Sequence, residues 1–498
     1  MLSATEVDEP LSTTATDHRA PRLSEAALWG AVGGLLGAYL AVFVINAILR
    51  VPLPWELSYG ESIVLQEVRR VASGETLYQA PTSLPLTVTA YTPLYYLLVG
   101  NLQRLLGDSS YTIGRIVSLL ATAGGAACLV AGVRSATGRW PAGLLAAFVF
   151  LTQNLTANLW GPMHRVDTLA LGLSLLGLAV AAAGHPRWAV LPLLLALLTK
   201  QTYVAAPAAL LLSLWPDRRT MLAFAALYGG GVVAAVLVGQ WLTGGWFLWH
   251  TVVANANPYL VDYIGVMLGQ FLAYNGLPLL LASSIFMLPA RPAERLWRVY
   301  LVLSLLQTLV SVGKIGASSN YWLEWSAAAA AAIAIVAARL AEERPDAGQW
   351  FVRGLVGALL IALPGYQAVA SEAVLLHTTG ETPSLDGQVQ LTHTMAQEPG
   401  TVMTDEPGVA IAAGKPIEFE PIFTLLAEEG IWDQTPILTA IHEQRFDLIV
   451  LTESLTAPHP PFENERITLA VRNAIAADYD EIGQANDHHF YRPKARGG

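Results

Sequence analysis

WAVLPLLLALLTKQTYVAAPAALLLSLW, residues 188–215, carries a single charge, Lys200, near its middle. It admits two readings. One is a long membrane helix; the other is two short helices joined at an outer tip, Thr199-Lys200-Gln201. A segment needs about 20 apolar residues to cross roughly 30 Å of hydrocarbon, so length alone does not decide. The flanking charges do. Other apolar segments lie near 28–49, 115–133, 141–158, 168–183, 222–242, 270–289, 297–312, 322–340 and 351–370. With the N-terminus inside and two short helices counted at 188–199 and 203–215, one set of loops holds Arg134, Arg139, Arg187, Arg218, Arg219, Arg291, Arg295, Arg298, Arg339, Arg344 and Arg353. The short loops on the other side hold Arg165, Lys200 and Lys314. Cytoplasmic loops are enriched in Lys and Arg, and merging the two short helices would put residues 218–219 and 291–298 on the wrong side. The expectation is therefore about eleven transmembrane helices, an inside N-terminus and an outside C-terminus.

Composition agrees. Of the 498 residues, 54% are hydrophobic and 13% charged, against roughly 25% charged in ordinary soluble domains. The net charge of −10 comes with no basic stripe, which argues against nucleic-acid binding. Cys128 is the one cysteine and lies in an apolar run, so no intrachain disulfide can form. Residues 1–27 read as a disordered cytoplasmic tail, since Met1–Pro21 is polar and rich in Ser, Thr, Asp and Glu. That stretch is too long and too acidic for the basic start of a cleavable signal peptide. Residues 28–370 form the membrane domain, and 371–498 read as a small extracytoplasmic α/β domain. In the latter, strands such as Thr401–Thr404 and Asp447–Leu451 alternate with helical stretches such as Glu418–Glu429 and Asn464–Ala477. Asp447–Thr452 reads as a central parallel strand.

The first outer loop, 50–114, is long and patterned. Two carboxylates, Glu56 and Glu61, follow the first apolar segment. Ser62–Ala72 and Leu94–Leu106 have the spacing of amphipathic helices lying at the membrane surface. Further polar groups sit at outer helix ends: Arg165 and Asp167; Lys200 and Gln201; Lys314, Asn320 and Tyr321; and Glu324 early in the tenth span. Ionisable groups at membrane depth are costly and usually mark a site. Each also has a plainer reading. Glu61 suits the start of a helix, Asp167 a helix N-cap, and Lys200 a cation snorkelling to the interface. Tyr91, Tyr95 and Tyr96 read as interface aromatics, and Asn255–Tyr259 as a plain loop. His488-His489 read as a solvated strand edge, and no zinc-type spacing occurs.

The chemistry that this set of groups suits is transfer from a lipid phosphate. Arg165, Lys200 and Lys314 would bind the phosphate. Glu56 or Glu61 would serve as general base for an acceptor hydroxyl.

The chain resembles the GT-C superfamily of membrane glycosyltransferases, which includes protein O-mannosyltransferases and lipid A aminoarabinose transferases. The resemblance is carried, in order, by Glu56–Glu61, Gly74–Tyr78, Tyr91–Tyr96, Gly114–Ser118, Arg165–Asp167, Thr199–Gln201, Gly313–Gly316 and Asn320–Glu324. It implies a polyprenyl-phosphate sugar donor, an envelope acceptor (glycan, lipid or protein), an active site at the outer face and a catalytic acid in the first outer loop. Many members carry adjacent Asp-Glu there, whereas this chain has Gly60-Glu61. No cofactor is expected; a divalent metal is compatible with the chemistry but no ligand spacing supports one. The alternatives are a secondary transporter or lipid flippase, which would show pseudo-repeats and broken helices meeting at mid-membrane, and an envelope scaffold. No matching halves are visible.

Overall fold

The computed structural model describes residues 43–153, 159–341, 385–460 and 465–495, with isolated positions at 34–41 and 357–366. The expected last span, 351–370, falls largely outside the described residues, as does the N-terminal tail; of the expected first span, 28–49, residues 43–49 are described and helical.

Two helices of the first loop come where their patterning places them. Helix α1 is Glu61–Ser73 and α2 is Leu94–Leu106. Each ends at a glycine in the left-handed region, Gly74 and Gly107, where the missing Cβ removes the steric penalty. Helix α1 does not simply lie on a lipid surface. Val64 and Val68 pack on Tyr95, Tyr96 and Val99 of α2. Leu65, on another face, packs with Leu391, Val402 and Val450 from the C-terminal part of the chain.

The apolar bundle follows: α3 Thr112–Thr137, α4 Trp140–Thr152, α5 Asp167–Ala182, α6 Val190–Leu197, α7 Ala205–Ser213, α8 Arg218–Leu242, α9 Trp246–Thr251, α10 Val261–Ser283, α11 Arg295–Ser311 and α12 Leu323–Leu340. Helix α12 is the centre. Its alanine run, Ala327–Ala332, is fully buried, because small side chains let α4, α10 and α11 approach closely. Helix α8 is peripheral and buries only Phe224. Helices α3 and α5 also touch at backbone distance: a Cβ on Gly172 would lie 2.8 Å from the Ala121 carbonyl oxygen.

The decisive segment at 188–215 is broken, as the charge pattern requires. Its halves α6 and α7 are separated at 198–204; both pack on α5 and α8, and α7 packs also on α11. At about 1.5 Å per residue, neither is long enough to cross the hydrocarbon alone. Among the described residues, four helices have the length and apolarity to cross: Thr112–Thr137, Arg218–Leu242, Val261–Met287 and Ser319–Leu340. The expected count of about eleven is not reproduced by helix lengths. The span expected from 270 begins instead at Val261. Asp262 marks its first turn, where an acid complements the helix dipole and does not interrupt the helix.

The C-terminal part comprises α13 Leu385–Gln397, β1 Val402–Thr404, α14 Pro407–Ala412, α15 Ile422–Glu428, α16 Thr435–His442, β2 Leu448–Leu451, α17 Leu469–Asp478, β3 Tyr479–Ala485 and β4 His488–Pro493. Strand order is β1-β2-β4-β3. Strand β2 is interior and fully buried, but the sheet is mixed. Leu448 pairs with Val402 in parallel, while Val450 pairs with Phe490 in antiparallel. The reason is the β3–β4 hairpin, whose turn uses positive φ at Asn486 and Asp487. This also corrects the reading of the histidines. Strand β4 is flanked on both sides, His488 is buried beside Glu406 at 3.4 Å, and His489 contacts Glu481. No group of metal-ligating side chains occurs among the described residues.

This unit does not close its core alone. Leu86 and Val88 of the first loop are buried among Phe419, Phe423 and Ile437. Full burial of such side chains is worth about 1.5–3 kcal/mol each. Leu86 pairs with Phe419 in a parallel bridge, and the Gln66 side chain exchanges two hydrogen bonds with the Ile417 backbone, at 3.1 and 2.7 Å.

Candidate functional site

The seam between the first loop, the bundle ends and the C-terminal unit encloses a cavity of about 540 Å³, within the size range of ligand sites. Its walls come from residues 58–64, 88–96, 160–165, 255–257, 314–321, 420–425 and 465–466. Segments that are far apart in the chain are tied together by backbone contacts. The Leu260 amide donates to the Gly313 carbonyl and Ile315 to that of Pro258, which fixes the loop bearing Lys314. The Leu94 amide donates to Leu198, and Gln201 donates to the carbonyls of Ala90 and Thr251. Gln201 thus joins three loops and does not line the cavity.

Arg165 is the best-placed cation. Its guanidinium donates to the Tyr91 hydroxyl at 2.8 Å and to the Tyr59 carbonyl at 3.4 Å, and lies 3.6 Å from Asp167. It also sits over the Tyr91 and Trp160 rings. Gly60 makes room for it. A Cβ there would fall 2.1 Å from Arg165 Nη1, and φ at Gly60 is +91°. The space that a side chain at position 60 would need is therefore filled by the guanidinium. Gly60→Ala is expected to push Arg165 off the wall and to add about 1–2 kcal/mol of backbone strain, read as a lowered unfolding temperature.

Lys314 shares this wall. Its ammonium has no carboxylate or hydrogen-bond partner among the described residues. Burial, with the nearby Lys200 charge, pulls its pKa down to about 8. Asn320 and Tyr321 also line the cavity.

Lys200 and Asp167 lie behind this surface. The Lys200 ammonium donates to Asp167 Oδ1 at 2.5 Å, and Asn320 donates to the same oxygen at 2.9 Å. Lys200 is buried over the rings of Tyr91, Tyr203 and Tyr321. Asp167 Oδ2 is buried without a hydrogen-bond partner. Lys200 is thus neutralised one layer behind the cavity, where Asp167 orders Arg165, Lys200 and Asn320 together.

The two candidate carboxylates Glu56 and Glu61 part ways. Glu61 is fully buried and meets Arg115 in a two-pronged pair, at 3.1 and 2.8 Å. It also accepts from the Leu57 and His164 amides at 2.6 and 2.5 Å. Arg115 in turn donates to the Leu53 and Trp55 carbonyls. Every lone-pair direction of Glu61 is committed, and it is not on the cavity wall. Beside it, burial holds the His164 pKa down at about 4. Glu56 accepts from the Ser62 hydroxyl at 2.7 Å and abuts Gly408 of α14. Burial pushes its pKa up to about 7, against the pull of the Ser62 hydrogen bonds. It too is off the wall. Glu324 is buried between Tyr300 and Gln307 and belongs to the bundle interior.

Three wall groups escaped the sequence reading: Glu420, Glu465 and Arg466. They come from the C-terminal unit, and no local pattern marks them. Tyr91, read as an interface aromatic, bridges Arg165 and Lys200, and Asn255 and Asn257 line the cavity.

No family model and no curated protein sequence matches this chain. Solved structures do. ArnT from Cupriavidus metallidurans in the apo state aligns with a TM-score of 0.59 at 13% identity, covering 93% of this chain and 98% of that one. The same protein bound to undecaprenyl phosphate gives 0.57 at 13% identity, over 92% and 98%. The archaeal oligosaccharyltransferase AglB from Archaeoglobus fulgidus, in complex with an inhibitory peptide and a dolichol-phosphate, gives 0.52 at 11% identity, over 83% and 69%. The chain shares its fold with these solved structures.

Proposed function

We propose that this membrane protein is a glycosyltransferase that moves a sugar from a polyprenyl-phosphate donor to an envelope acceptor at the extracytoplasmic face. The observation that carries the reading is the cavity wall on which Arg165 and Lys314 converge with Asn320, Tyr91 and Tyr321. Two fixed cations in a half-enclosed site suit a phosphate leaving group, because a preorganised charge stabilises the developing anion without reorganisation. The two similar proteins whose structures hold a lipid phosphate share this chain's fold. In this reading the donor phosphate meets Arg165 and Lys314, while Lys200 and Asp167 position Arg165 and Asn320 from behind. Glu61 is a structural anchor, and Glu56 closes the seam between the first loop and α14. About eleven spans, an inside N-terminus and an outside C-terminal unit complete the reading, supported by the arginine distribution. The sparse outward bases Arg165, Lys200 and Lys314 lie at one end of the bundle, unlike the mid-membrane placement a transporter favours.

The test uses purified protein in lipid nanodiscs. Polyprenyl-phosphate hexoses and pentoses, labelled in the sugar, are offered with a cell-envelope extract, and release of lipid phosphate is followed. Turnover of one donor supports the reading. No turnover and no binding of any donor sinks it.

Lys314 adds a pH signature. Its pKa is lowered to about 8, so the ammonium is charged below that pH and neutral above it. Affinity for undecaprenyl phosphate is expected to fall about tenfold between pH 7 and 9, the scale of one charge-assisted hydrogen bond. Lys314→Arg should remove the slope with binding kept strong, and Lys314→Met should remove it with binding at pH 7 weakened to the level of wild type at pH 9.

A further inference from the structure

Activation of an acceptor hydroxyl calls for a general base within its reach, a role a carboxylate can fill, and neither Glu56 nor Glu61 lines the wall. Among the described residues, two carboxylates line the cavity, Glu420 and Glu465. They differ in commitment. Glu465 is engaged by His459 at 3.0 Å. Glu420 is 1% exposed, and only its Oε2 is held, by the Val88 amide at 3.2 Å. Its Oε1 is buried with no hydrogen-bond partner. A buried unpaired carboxyl oxygen is costly, and a cavity wall is where a substrate would satisfy it.

Its placement is built. The Leu86 amide donates to the Glu418 carbonyl at 2.8 Å, and the Glu420 amide returns a bond to Leu86 at 3.3 Å. The backbone on both sides of the carboxylate is thus clamped to the first loop. The geometry points to Glu420, supplied by the C-terminal unit, as the general base that activates the acceptor hydroxyl, in place of a first-loop carboxylate. This assignment rests on the transferase reading above.

The step balances. The acceptor O–H proton passes to Glu420 Oε1. The acceptor oxygen bonds to the anomeric carbon. The bond from that carbon to the phosphate oxygen breaks, and its electron pair leaves with the lipid phosphate, which becomes a dianion facing Arg165 and Lys314. Glu420 then returns its proton to solvent. The acceptor is accordingly a hydroxyl-bearing group that reaches the cavity from the side of residues 420–425 and 465–466. The charged and titratable neighbours are Glu67 and Arg70 from α1, Tyr59 from the loop before it, and Glu465 and Arg466 on the same wall. Burial, reinforced by Glu67, raises the Glu420 pKa well above the usual carboxylate range. Transfer should therefore climb with pH through a limb that Glu420 alone supplies.

The experiment compares wild type with Glu420→Gln, Glu420→Asp and Glu465→Gln in nanodiscs. It measures transfer from the donor panel and binding of undecaprenyl phosphate separately. Glu420→Gln should lower kcat about 100-fold or more, the scale of general-base loss, while binding stays within about threefold of wild type and the rising pH limb disappears. Glu465→Gln should retain turnover within about tenfold. Wild-type kcat in Glu420→Gln overturns the assignment and leaves the transferase reading standing. Equal loss of binding and turnover also overturns it, since that marks a structural role. If Glu420→Gln does not fold, Glu420→Asp decides: reduced kcat with intact binding supports the assignment, and unchanged kcat overturns it. A wild-type protein that turns over no donor overturns both readings.

Discussion

Glu61→Gln is expected to destabilise this protein by about 3–5 kcal/mol, the cost of leaving a buried charge without its partner. The charge left behind is Arg115, which is fully buried. In the native chain its guanidinium is shared between Glu61 and the carbonyls of the turn at 50–55. That turn leads from the first apolar segment into α1, and the His164 amide closes the far side of the same carboxylate. Removing the negative charge therefore loosens three elements at once: the turn, the α3 start and the loop bearing Arg165. Thermal unfolding in detergent, followed by size-exclusion chromatography, reads the loss. The pair Glu61→Leu with Arg115→Met should recover much of it, because a well-packed apolar pair can replace a buried ion pair. Glu56→Gln provides the contrast and should unfold near the wild-type temperature. Full stability in Glu61→Gln together with abolished turnover would instead return Glu61 to the reacting groups.

Arg165→Ala is expected to reduce sugar transfer about 100–1000-fold, the range for removing one preorganised charge that faces a developing anion. The effect has two sources. The phosphate loses a cation held by Tyr91, the Tyr59 carbonyl and Asp167. Asp167 also loses one of its partners, although Lys200 and Asn320 remain on it. Arg165→Lys should recover part of the rate but not the two-sided geometry, since an ammonium cannot span Tyr91 and Asp167 together. Lipid-phosphate release under single-turnover conditions measures the change. A wild-type rate in Arg165→Ala would remove the cationic wall from the proposed reaction.

The sequence was most legible where local physics sets the outcome. Helix α2 begins at Leu94 and ends at Leu106, because Pro93 precedes it and Gly107 can take positive φ. The break within 188–215 was legible for a different reason. The arginine distribution requires an interruption there, and the structure has one at 198–204. The convergence of Arg165, Lys200, Asn320 and Tyr321 at one bundle end was also readable, as polar groups recurring at the ends of apolar segments.

What failed to show in the sequence is commitment. Glu56 and Glu61 look alike as letters, yet one abuts Gly408 and the other is locked to a residue 54 positions away. Lys200 and Lys314 look alike as isolated loop lysines, yet one is neutralised by Asp167 and the other lines the cavity. Glu420 carries no local signal at all; it reaches the site through a bridge between Leu86 and Phe419. Composition and the spacing of apolar runs and charges by themselves determined that this chain lives in a membrane, where its first-loop helices form and on which loops Arg165, Lys200 and Lys314 fall, because those properties follow from short-range sterics and transfer from water. Which carboxylate is paired with a buried arginine, which lysine is neutralised by Asp167 and which acid lines the cavity were decided only by the tertiary structure, because pairing inside a low-dielectric interior depends on neighbours brought together by folding.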